Sequence, residues 1–120
     1  MPIPSRILAA GNSGLSTQQI CGDGATGLTA AGSTASDALQ LSAVYNEVLT
    51  VSASTGVKLP PTEAGAMVAV YNRSGTTLTV YPFSTASTIN NGAASLSVTT
   101  TQRVLFIATS ATTWISLAGA

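Results

Sequence analysis

The sequence predicts an all-β fold, a small antiparallel β-sandwich or barrel preceded by an extended N-terminal arm, on three observations. Apolar residues recur at every second position in short runs, as in "SLSVT" (95–99) and "GVKLP" (56–60). Turn-forming residues such as Asn72-Arg73-Ser74-Gly75 and Asn91-Gly92 separate these runs roughly every eight to twelve residues, a spacing typical of sandwiches and barrels. The first stretch is different. Gly11, Gly14, Gly22, Gly24, Gly27 and Gly32 break it into apolar pieces too short for a core and too glycine-rich for a stable helix.

Residues 1–35 therefore read as an arm and residues 36–120 as the β domain. Within the domain, "SDALQLSAVYNEVLTVSA" (36–53) fits two patterns. As a helix it would carry Ala38, Leu41, Tyr45 and Val48 on one face behind a Ser36 cap. As strands, Leu39, Leu41 and Ala43 alternate with polar residues, and Leu49, Val51 and Ala53 do so again; the density of Val, Thr and Ser favours strands. In "GVKLPP", Val57 and Leu59 point inward and Lys58 outward, and Pro60-Pro61 ends the strand because proline donates nothing to a ladder. Residues 66–72 and 76–82 form a hairpin across a type I turn that opens at Asn72 and closes at Gly75, where a positive φ is tolerated. Leu96 and Val98 face inward in the next strand. "RVLFIAT" (103–109) and "TWIS" (113–116) supply the last two, with Ile115 and Leu117 opposite Trp114.

Two of these strands, 66–72 and 103–109, are apolar on both side-chain parities. One face of an antiparallel sheet normally meets water and is polar. A domain of this size has no helix to cover a second apolar face, so either other copies of the chain or the chain's own arm must do so. The pattern favours copies and marks Met67, Ala69, Tyr71, Leu105 and Ile107 as subunit-interface candidates.

Composition narrows the function. The chain is 120 residues long with 45% hydrophobic, 5% aromatic and 7% charged residues, where roughly a quarter charged is usual. Net charge is zero and the four cations, Arg6, Lys58, Arg73 and Arg103, are scattered, so no basic patch for nucleic acid is visible. No apolar run approaches the roughly 20 residues that span a bilayer. Met1-Pro2-Ile3-Pro4 does not read as a signal peptide, which makes the cytoplasm the expected place of synthesis. One cysteine, Cys21, forms no internal disulfide framework and reads as a small semi-buried hydrophobe.

Catalytic signals are sparse. The chain has no histidine, which removes the commonest general base and metal ligand. Asp23, Asp37, Glu47 and Glu63 stand apart, and "GDGATG" (22–27) lacks the following Lys-Ser or Lys-Thr of a phosphate loop. No cofactor or metal is expected. Tyr45, Tyr71, Tyr81 and Trp114 would make a sugar-stacking platform if one exposed face held them all. Pairing of Tyr71 with Tyr81 across the hairpin, and anchoring of the last strand by Trp114, are the plainer readings.

The series "TGVKLPPTEAGAMVAVYNRSGTTLTVYP", followed by "TIN" and a Trp-containing final strand, resembles a recurrent β-domain of tailed-bacteriophage virion proteins. Thr55, Gly56, Val57, Leu59, Pro60, Gly65, Asn72, Gly75, Leu78, Val80, Tyr81, Pro82, Ile89 and Asn90 match its ordered pattern of turns, strand ends and core positions. The likeness spans about residues 36–117; the loop "FSTAST" (83–88) lacks the glycine that pattern would have. A short version with its own arm is most similar to a capsid decoration, or cement, protein. The resemblance implies a homotrimer on the outer surface of the phage head, bound to the major capsid protein and bracing the shell without catalysis. On that reading Ile3, Arg6, Ile7 and Leu8 of the arm touch the capsid. A receptor- or carbohydrate-binding tail or fibre component is the alternative.

Overall fold

The computed structural model describes residues 24–118. Ten strands and no helix make up these residues: β1 (Gly24–Thr29), β2 (Leu39–Gln40), β3 (Tyr45–Thr50), β4 (Gly56–Lys58), β5 (Met67–Asn72), β6 (Leu78–Tyr81), β7 (Thr88–Ile89), β8 (Leu96–Val98), β9 (Arg103–Ala108) and β10 (Thr113–Ala118). The ambiguous segment 36–53 resolves into a turn and strands. The fold is all-β, as its alternation predicts.

The pairing differs from a purely antiparallel sandwich or barrel. A large sheet runs β1-β3-β5-β9-β10-β7 and a small one β2-β4-β6-β8. From β1 to β6 the chain alternates between the two sheets, and each strand lies parallel to the one two places earlier. This part is a solenoid-like coil of three rungs. Antiparallel pairs β5–β9, β9–β10 and β6–β8 then close it. The physical reason is that each short strand ends at a turn that carries the chain across the core instead of back along the same sheet.

The hairpin expected over 66–82 is the clearest correction. β5 lies in the large sheet and β6 in the small one, so the turn between them is an arch and Tyr71 never pairs with Tyr81. Asn72 makes the crossing. Its side chain is fully buried; Nδ2 donates to the carbonyls of Thr76 at 2.8 Å and Val98 at 2.9 Å, while Oδ1 accepts from the Ser74 amide at 3.0 Å and hydroxyl at 2.7 Å. Gly75 keeps a negative φ, contrary to the turn expected there.

One core fills the space between the sheets. Val48, Val68, Val70, Val104, Phe106 and Trp114 project into it from the large sheet, and Val57, Leu59, Leu78, Val80 and Val98 from the small one. Leu39, Val57, Val80 and Leu96 stand in register across the small sheet, so each rung lays an aliphatic side chain on the next. Stacking this close requires Gly56. A Cβ there would sit 2.5 Å from the Thr79 carbonyl oxygen and 2.8 Å from the Tyr81 ring.

Two further expectations change in detail. In β3 the buried positions are Asn46 and Val48, and Leu49 is exposed, which inverts the expected parity; only Val51, past the strand, faces inward. Residues 24–35, read from composition as arm, contribute β1 on the edge of the large sheet and Ala30 to the core. The rest of the arm, with Ile3, Arg6, Ile7, Leu8, Cys21 and Asp23, lies outside the described residues.

Candidate functional site: the outer face of the large sheet

Strand alternation that buries Val68, Val70, Val104 and Phe106 must turn their neighbours outward. The register aligns those neighbours in levels across four strands. Glu47, Tyr71 and Arg103 form one level; Tyr45, Ala69, Leu105 and Leu117 the next; Met67, Ile107 and Ile115 the third. The five interface candidates from the sequence, Met67, Ala69, Tyr71, Leu105 and Ile107, thus share a single outward face. Tyr45, Ile115 and Leu117 extend it and were missed as members. Ile115 and Leu117 alternate with Trp114, as expected, but one apolar parity beside another does not reveal which side is outer.

The face is apolar and accessible. Met67 is 43% exposed, Ile115 39%, Leu117 55% and Tyr45 39%. At its centre a shallow groove of about 530 Å³ has the small Ala69 as floor and Tyr45, Tyr71, Leu105 and Leu117 as walls. With strands about 4.8 Å apart and about 3.4 Å per residue, the four-strand patch covers on the order of 300–400 Å² with the Glu47–Tyr71–Arg103 level included. That is within the range of about 300–600 Å² for the largest apolar patch on a typical monomer, a patch that often marks an interaction site.

Charge lies at one end of the face, in the Glu47–Arg103 level and in Arg73 just past β5. The Arg73 guanidinium meets a Glu47 carboxylate oxygen at 3.1 Å, and the Tyr45 hydroxyl donates to the other oxygen at 3.3 Å. Burial, and then the neighbouring Glu47 charge, raise the Tyr45 phenol above its ordinary value. The Arg103 guanidinium stacks over the Tyr71 ring, 4.6 Å from its centroid.

Sheet edges are poor alternatives for contact. β2 and β7 have two residues each and β8 three, while β1 is broken by register shifts around Gly27. Short or bulged edges resist strand addition. A second depression, of about 480 Å³, is lined by Ser and Thr residues such as Ser33 and Thr85 together with Ala35, Tyr81, Pro82 and Ala94. Tyr81 borders it, but its hydroxyl already donates to the Ser33 carbonyl at 2.7 Å. Among the described residues no three His, Cys, Asp or Glu side chains are grouped to hold a metal.

The sugar-stacking platform is not formed. Trp114 is fully buried, with Nε1 donating to the Thr62 hydroxyl at 3.0 Å, and Thr62 in turn bonds Ser87 at 2.9 Å. Tyr81 is in the small sheet, whereas Tyr45 and Tyr71 are on the outer face of the large one. The Trp114 bonds tie the final strand to two loops, the anchoring role that its place near the chain end suggests.

No family model, curated protein or solved structure matches the chain.

Proposed function

We propose that this protein is a structural component of a phage virion, a decoration or cement protein that binds the outer surface of the head as a homotrimer. One observation carries the reading: apolar side chains at successive levels of β3, β5, β9 and β10 face outward together. Removing such surface from water yields about 25 cal/mol per Å², against which association entropy weighs. Blunted edges direct contact to the face, and a chain with zero net charge repels its copies weakly. The phage assignment and the threefold order rest on the resemblance of residues 36–117.

In this mechanism the sheet faces hold the copies together, and the arm, through Ile3, Arg6, Ile7 and Leu8, grips the major capsid protein. By adding as a strand to a sheet edge of the capsid, the arm would gain main-chain hydrogen bonds there. Three linked arms make the later contacts intramolecular, so weak individual grips sum to firm attachment. The protein acts in the virion after synthesis in the bacterial host, without catalysis or cofactor. Deleting residues 2–10 is expected to abolish co-sedimentation with heads and leave the trimer intact. Undiminished binding by the truncated protein would refute the role given to the arm.

A further inference from the structure

At one level of the outer face of the large sheet an acid, Glu47, already paired with Arg73 at 3.1 Å, stands on one side and a base, Arg103, on the other. Glu47 in β3 and Arg103 in β9 both register with Tyr71 in β5, so they lie two strands, about 10 Å, apart. Arg103 has no carboxylate within ion-pair distance among the described residues, and Glu47 is the only acid on this face among them. The Ala69 and Met67 levels are without charge.

From this pattern, and resting on the self-association proposed above, we infer that neighbouring copies are related by a rotation axis parallel to the strands, with Arg103 of one copy paired to Glu47 of the next. Such a rotation preserves the level of every residue. It brings the β3 side of one face to the β9–β10 side of its neighbour, acid to base, with Tyr45 against Leu105 and Leu117. An axis lying across the strands inverts the levels and presses Arg103 and Glu47 onto Met67, Ile107 and Ile115. Burying a charge against apolar side chains without a partner is strongly unfavourable. Glu47 retains acceptor capacity for a third donor beside Arg73 and Tyr45, since an ionised carboxylate offers about four lone-pair sites. The Arg103 guanidinium lies over the Tyr71 ring, a contact that favours one placement of its long side chain and so lowers the entropy lost on pairing.

The test uses the full chain with Cys21→Ser, Tyr45→Cys and Leu117→Cys, leaving both charges in place. Three strand spacings separate positions 45 and 117, about 14 Å, so a disulfide within one chain is out of reach. Mild oxidation is expected to link the thiol introduced at position 45 of one copy to the thiol introduced at position 117 of another, identified by peptide mapping. Links between two copies of position 45, or between two copies of position 117, would overturn the axis. So would the absence of any link in a protein that light scattering shows to be oligomeric. A second pair of variants tests the ion pair. Arg103→Glu should reduce the particle to one chain mass and Arg103→Lys should preserve the oligomer; an oligomer unchanged by Arg103→Glu contradicts the pairing. A monomeric wild-type protein would instead defeat the assembly reading on which this inference stands.

Discussion

Asn72 occupies a position where a single side chain replaces backbone pairing. The chain leaves the large sheet there, and the amide joins Thr76, Val98 and Ser74 in the gap between sheets. Asn72→Ala would strip the side-chain donor from the buried Val98 carbonyl and one of two from the part-buried Thr76 carbonyl, which keeps the Ser74 hydroxyl at 2.9 Å. At about 1–3 kcal/mol for a buried group left unsatisfied, a loss of that size is expected from chemical denaturation. A loss within error would mean that the arch is held by its backbone alone. Asp37 makes a smaller, pH-dependent contribution. Its carboxylate accepts from the Thr34 hydroxyl and amide, both at 2.8 Å, and from the Ser33 amide at 3.1 Å. The Thr34 side-chain bond foremost holds its pKa below the usual 3.8. A depressed folded value means stability that is present above pH 3.8 and fades as pH falls through the folded pKa. Asp37→Asn should therefore flatten the acid limb of the stability profile below that pH, and an unchanged slope would remove Asp37 from the account.

Within each strand the two parities have separate tasks, and β5 shows the division most clearly. Val70 is 1% exposed and contributes to the core, whereas Ala69 beside it floors the outer groove. Val70→Ala should lower unfolding stability by roughly 2 kcal/mol and leave the oligomer in place, because it opens a cavity without touching the face. Ala69→Glu should do the reverse, leaving thermal unfolding of the isolated chain near its original midpoint while preventing association. Equal effects from both would contradict the division. Much of this was legible in the sequence. "MVAVYN" and "RVLFIA" announce strands with apolar residues on both parities, and the inward places of Val57, Leu59 and Val98 follow from simple alternation. Strand partners were not legible. The Asn72-Arg73-Ser74-Gly75 stretch looks alike whether it folds a hairpin or an arch, because both need a polar turn; only the distant partner, Val98, distinguishes them. Parity in β3 failed for a related reason. Asn46 looks like a surface residue until its amide is seen donating to the Ala43 carbonyl at 2.8 Å.

At the scale of the molecule, the unusual features agree in direction. The rungs and their antiparallel closure bury one core, edges are short or bulged, and the outward side of the large sheet stays apolar across four strands. On the assembly proposed above, this surface is the seam between copies. The most direct measurement is the mass of the purified protein in solution by light scattering, beside a Leu105→Glu variant that places a charge at the centre of the face. The expected result is three times the chain mass of 11.9 kDa for the wild type and a single chain mass, still folded, for the variant. A wild-type protein that stays monomeric at high concentration would contradict it.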